Sequence, residues 1–195
     1  GQYNTKIRLN KQTIKDLLNL KDREFRKTEN ILVDAGLLIK DGAYYNSNTD
    51  CTVRGDLPCS IKNKDYTRVF INTIQDLYTK CDPRSHKQLY YIFKMLPYVN
   101  FKYNMVCHNV NQDVMSDINP MTMPEICDKI GYERINASKL WRILRGFKVG
   151  GDYVICKHCV DEGEYITINP RIYYSGKSMK DIDYLINIFD MAKTA

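Results

Sequence analysis

No stretch of this 195-residue sequence approaches the ~20 consecutive apolar residues that cross a bilayer, so no membrane partner is expected. The basic–apolar–small order of a cleavable secretory signal is also missing. So are a Walker-type phosphate loop, a Gly-x-Ser-x-Gly elbow and a His-Glu-x-x-His helix. The three His are scattered and do not form the metal cluster that a tyrosine-based DNA-nicking centre needs. These gaps argue against an enzyme and against a resident cofactor. The seven Cys are odd in number and irregular in spacing, which excludes a disulfide framework and points to a reducing, cytoplasmic compartment. Gly1 is read as a cloning remnant.

The chain carries a pattern that occurs twice, about 120 residues apart. The first copy runs Asn10-Lys-Gln-Thr-Ile14, Leu17-Leu18, Arg23-Glu-Phe-Arg-Lys27, Ile31-Leu32, Gly36 and Tyr44-Tyr45. The second runs Thr122-Met-Pro-Glu-Ile126, Ile130-Gly131, Ser138-Lys-Leu-Trp-Arg142, Gly146 and Tyr153-Val-Ile155. Each copy reads as a short helix, a turn, a longer basic helix, a glycine and a β-hairpin, the order of a winged helix-turn-helix. Asn48 stands seven residues before Gly55, and Asn169 seven before Gly176, after a strand-like run in both. The expected fold class is therefore α+β, mostly helical, with tandem winged helix-turn-helix units. The boundaries read as an N-terminal unit over 1–55, a linker over 56–65, a helical segment plus second unit over 66–176, and a last helix over 177–195.

Helical spacing places Ile14, Leu17 and Leu18 on one face of the first helix. Phe25, Thr28, Leu32 and Ala35 form the apolar stripe of the second. Asp41-Gly42 predicts a hairpin turn. Helices are expected over about 66–81 (Phe70, Ile74, Leu77 and Tyr78 inward) and 84–96 (Leu89, Ile92, Phe93 and Leu96 inward), and residues 98–107 read as an extended segment. Thr122-x-x-Glu125 is a capping box, followed by an apolar face of Met123, Ile126, Cys127 and Ile130. Ala137, Leu140, Trp141 and Leu144 repeat this in the next helix, and a closing hairpin is expected over 152–169. In the last helix Ile182, Leu185, Ile186 and Phe189 form a stripe that either packs on the second unit, the preferred reading, or makes a homodimer.

The net charge of +6 suits a polyanionic partner. In the first unit Arg23, Arg26, Lys27 and Asn30 share a polar face of helical spacing. Arg is suited to guanine edges, Asn to adenine edges and Lys to phosphate in a major groove ~12 Å wide. Arg134, Asn136, Ser138, Lys139, Arg142 and Arg145 make the second face. Asp22, Glu24 and Glu29 dilute the first, whereas Glu133 is the lone acid between 132 and 147. Lys40 and Arg54 in the first wing, and Lys157 and His158 in the second, are candidates for phosphate or the minor groove. Cys156-Lys-His-Cys159 offers half a zinc site. It lies in a predicted strand, where odd spacing sends the two side chains to opposite faces, so no metal is expected.

The run Leu96-Pro-Tyr-Val-Asn100, Asn104, Asn119-Pro-Met-Thr122 and Glu125-Ile126, closing on Ile168-Asn-Pro-Arg-Ile-Tyr-Tyr-Ser-Gly176, resembles replication-initiator proteins of Firmicute plasmids and phages. The likeness spans about 66–176, with Asn48-Thr49 as a degenerate counterpart in the first unit. It implies sequence-specific double-stranded DNA binding in replication initiation, a phage or plasmid origin, and replication or transcription machinery as further partners. Abundant Tyr, Asn, Ile and Lys fit the AT-rich coding of low-GC bacteria. A phage transcriptional regulator, repressor or activator, with the same DNA reading is the alternative. A winged-helix adaptor that binds other proteins is a further one.

Overall fold

The computed structural model describes residues 8–48, 68–160, 163–174 and 181–191. It divides into two compact units, Gly1–Lys64 and Asp65–Ala195. The described residues are α+β, with seven α-helices and small antiparallel sheets. The linker expected over 56–65 lies outside them.

In the first unit β1 (Arg8–Asn10) leads directly into α1 (Lys11–Leu18). The Asn10 side chain caps this helix by accepting from the Thr13 N–H at 2.8 Å. Asn19, left-handed at φ 50°, ends it. α2 (Asp22–Asp34) starts with the Glu24 carboxylate accepting from the Lys21 N–H at 3.0 Å. β2 (Leu38–Asp41) and β3 (Tyr44–Ser47) follow, joined through Gly42 at φ 59°, where the Asp41-Gly42 signal predicts the turn. β1 pairs with β3, so the sheet order is β1–β3–β2. Ile14, Phe25 and Tyr45 are buried between helices and sheet, with the Phe25 and Tyr45 rings edge to face at 6.1 Å.

That core is too small for all the apolar residues that helical spacing offers it. Leu17, expected inward, is 55% exposed, because only the Ile14–Leu18 line of the two-turn α1 meets α2 and the sheet. Ala35, expected in the stripe of α2, is the exposed C-terminal cap of that helix.

The second unit opens with β4 (Arg68–Val69), α3 (Ile71–Lys80) and α4 (His86–Met95). Leu89, Ile92 and Met95 of α4 are buried. Phe93, expected inward, is 41% exposed; Met95 fills the core on the face that Phe93 flanks. Residues 98–107 are not one extended segment but a loop folded back on itself, with Val99 opposite Val106. Two asparagines make the reversal. The Asn100 side-chain oxygen accepts from the N–H groups of Lys102 and Tyr103, and Asn104 adopts φ 54°.

α5 (Met123–Ile130) has the expected cap: Glu125 accepts from the Thr122 N–H at 2.8 Å, and Gly131 closes the helix at φ 71°. Its four predicted core residues are all buried. A 3-10 turn, Arg134–Asn136, feeds α6 (Ala137–Leu144). A two-residue ladder, β5 (Lys148–Val149) and β6 (Asp152–Tyr153), precedes the longer hairpin β7 (Ile155–Val160) and β8 (Gly163–Ile168). By sequence, β2–β3 aligns with β5–β6. By pairing, however, the counterpart of β3 is β8: Met105 bridges Thr167, and the Val106 N–H donates to the Ile166 carbonyl at 2.8 Å. In both units, then, the stretch before the helix pair lies against the last hairpin strand.

This sheet is covered on both sides. Ile166, Ile168 and Val106 join Leu140 and Leu144 of α6 in the main core. Met105, Cys107 and Ile118 form a second buried cluster with Tyr165 on the other side. β9 (Tyr173–Tyr174) pairs with β4, and α7 (Ile182–Met191) packs Ile182 and Leu185 on Tyr174 and Phe70. Arg171 holds α7 with a two-pronged pair to Asp190 at 3.0 and 2.8 Å.

Candidate nucleic-acid interface

Arg23, Arg26, Lys27 and Asn30 are all exposed on α2. The neighbouring acids are engaged elsewhere. Asp22 pairs with Lys11 at 2.9 Å and Lys15 at 3.2 Å, which holds its carboxyl below the usual range. Glu24 caps the helix, and Glu29 turns to the sheet. No ion pair to Arg23, Arg26 or Lys27 occurs among the described residues. The face is therefore more cationic than its sequence neighbours imply. Ile31, 66% exposed, borders it.

Lys40, expected on phosphate, is committed to the protein. Its ammonium donates to Glu29 at 2.5 Å, and the Tyr45 hydroxyl donates to the same carboxylate oxygen at 2.6 Å. Strand register explains this: Lys40 is opposite Tyr45 on the sheet face that looks at α2. Lys40 and Tyr45 lower the affinity of Glu29 for a proton. Its ionised form thus adds stability that is present above the ordinary glutamate range, about pH 4.3, and is lost as pH falls below it. Glu29→Gln is expected to flatten the acid limb of the unfolding curve below the ordinary glutamate range, about pH 4.3. An unchanged limb in urea melts across that range would assign the acid sensitivity to other carboxylates. Arg54 lies outside the described residues.

In the second unit α6 presents Ser138, Lys139, Arg142 and Arg145 to solvent, opposite the buried line Ala137, Leu140 and Leu144. From Arg134 to Gly151 the sequence contains Arg134, Lys139, Arg142, Arg145 and Lys148 and no Asp or Glu. Arg134 and Asn136 brace the turn before the helix. Arg134 pairs with Asp128 at 2.6 Å, and the Asn136 amide donates to Glu133. Trp141 packs half-buried at the edge of the core, as its stripe position predicts.

The β7–β8 hairpin keeps neither of its candidates free. Lys157 donates to both Glu164 oxygens at 2.9 Å, and its ammonium lies 5.1 Å from the centre of the Trp141 ring. His158 stacks on Tyr165 at 4.6 Å and bonds the Thr167 hydroxyl at 2.8 Å. Burial pushes its imidazolium pKa down, which favours the neutral ring. The acidic tip Asp161-Glu162 lies outside the described residues. Cys156 is buried and Cys159 exposed, the divergence that strand spacing predicts. No group of three or more metal-binding side chains occurs among the described residues. No helix there is long and apolar enough to cross a membrane.

The asparagines that carry the sequence resemblance have structural roles. Asn100, Asn104 and Asn169 are almost fully buried. Asn100 donates to the Val110 and Gln112 carbonyls, and Asn104 to those of Ile168 and Tyr173. Asn169 donates to the Tyr153 carbonyl and accepts from the Arg171 N–H. Asn48 does for the first hairpin what Asn169 does for the second. It follows the last strand and donates to a carbonyl ahead of the hairpin, that of Gly36, at 2.7 Å. The repeated Asn is thus a hairpin-closing residue. No family model, curated protein or solved structure matches the chain.

Proposed function

We propose that this chain is a sequence-specific double-stranded DNA-binding protein made of two winged helix-turn-helix units. The observation that carries the reading is the solvent face of α6, where Lys139, Arg142 and Arg145 stand together with no acid within the surrounding segment. A helix of this kind, second in a helix pair and backed by a hairpin, suits insertion into the major groove. α2, with Arg23, Arg26, Lys27 and Asn30, supplies a second such face. Two readers per chain suit sites one helical turn, ~34–36 Å, apart without dimerisation. Lys40, Lys157 and His158 each have a partner within the protein that a DNA contact would have to replace. Replication initiation on a phage or plasmid genome is the process that the sequence resemblance suggests.

Mobility-shift titration against random-sequence and genomic duplexes at low salt tests the reading. If the six exposed cations of the two helices each met a phosphate, affinity would fall about a thousandfold between 50 and 200 mM salt. The absence of any retained complex at micromolar protein overturns the proposal.

A further inference from the structure

Ile135 is 91% exposed, the largest exposure among the large hydrophobic residues described. It sits in the 3-10 turn that runs straight into α6. Single exposed aliphatics are common on protein surfaces and need no explanation by themselves. The neighbourhood is what distinguishes this one. Ile135 precedes α6 in the chain, at the end of the helix from which Ser138, Lys139 and Arg142 face solvent.

The side chains on either side of Ile135 are anchored. Arg134 is pinned by Asp128 and Asn136 by Glu133, which fixes the turn and leaves the Ile135 side chain projecting. The buried Ala137 and Leu140 fix the helix behind it. The result is one β-branched aliphatic group, stiff at χ1, exposed just before a helix whose solvent side carries Lys139 and Arg142. An apolar protein partner would need a wider apolar surface than one residue inside a basic field. A DNA major groove offers what this face complements: phosphates for the cations, and the thymine C5-methyl as an apolar group at the base edge.

We propose that Ile135 is a specificity-determining residue that reads a thymine methyl in the major groove. The inference rests on the DNA-binding reading of α6. Contact with one methyl is worth about a fourfold change in affinity, the transfer value of one buried methyl-sized group. Because the side chain is so exposed in the free protein, its removal is expected to leave the melting temperature unchanged.

The test uses the full chain and a duplex selected from a random library by its binding. Each thymine of that duplex is replaced in turn by deoxyuridine, which removes the methyl and keeps the Watson–Crick pairing. For the unsubstituted protein, one replacement is expected to weaken binding about fourfold. Ile135→Ala should bind the thymine and uracil duplexes equally, with an unaltered salt slope. Ile135→Val, which keeps a branched methyl surface, should retain part of the preference and serves if the alanine variant folds poorly. Retention of full thymine preference by Ile135→Ala, or indifference of the unsubstituted protein to every replacement, overturns the assignment and leaves DNA binding intact. Failure to select any duplex defeats the DNA-binding reading itself, a distinct outcome.

Discussion

Replacing Arg142 and Arg145 together by alanine is expected to weaken duplex binding about 30-fold or more, the sum of two contacts worth ~1 kcal/mol or above each. The matching Arg23/Arg26 pair should cost less, about tenfold. Local charge sets the order. α6 has only Glu133 nearby, in the turn before it, whereas α2 keeps Glu24 and Asp34 without a cationic partner among the described residues. The structure narrows the gap expected from sequence, since Asp22 and Glu29 are each taken up by lysines away from the polar face. All four arginines are exposed, so both double variants should melt as the parent does. Binding isotherms and melting curves on the same preparations separate the outcomes. If the Arg142/Arg145 variant melts far below the parent while its folded fraction keeps full affinity, those residues are structural and α6 is not the reader.

Asn104→Ala is expected to destabilise the second unit by about 3 kcal/mol, or roughly 10 °C in melting temperature. The side-chain amide donates at 3.2 Å to the Ile168 carbonyl and at 2.7 Å to that of Tyr173, and the residue is 2% exposed. Alanine removes both donors from a buried site and meets a left-handed backbone at φ 54°, which costs a further ~1 kcal/mol. Asn104→Gly loses the same bonds without the steric penalty, so it should be about 1 kcal/mol less harmful than alanine. Trp141, the single tryptophan, stands in the same unit and reports its unfolding by fluorescence. A melting temperature equal to the parent's would show that the two long-range bonds contribute nothing net.

The readable parts of this fold are those set by local spacing. The capping box at Thr122 and the inward residues of α5 follow from side chains three and four apart, and α5 forms as that pattern dictates. The Asp41-Gly42 turn and the hairpin ending at Ile168 are equally local. What stayed hidden depends on which side chains meet across a strand pair or between elements, which spacing along the chain does not set. The attachment of Lys40 to Glu29 needs the register of β2 against β3 and the face of α2 that looks at them. Lys157 is lost to Glu164 by pairing across the second hairpin, and His158 to the ring of Tyr165. Leu17 and Phe93 have helical phase appropriate to a core, and their exposure follows from how little core each helix meets. The asparagines stand out in the sequence as a motif. Their work, holding backbone carbonyls up to 69 residues away, has no local signature.

The bridge between Met105 and Thr167 constrains the order in which the polypeptide assembles. As a ribosome releases the chain, Met105, Val106 and Cys107 emerge some sixty residues ahead of the strand that will shelter them. α5 and α6 can pack on each other and on α4 at once, but the core side of α6 also waits for Ile166 and Ile168. The three residues, which end up almost fully buried, can pair meanwhile with Val99 and Pro120, but the edge that will meet β8 stays open. Pairings of such long sequence separation form late and slowly. Nascent chains cut short between Met105 and Ile166 are therefore the species of this protein most prone to aggregate.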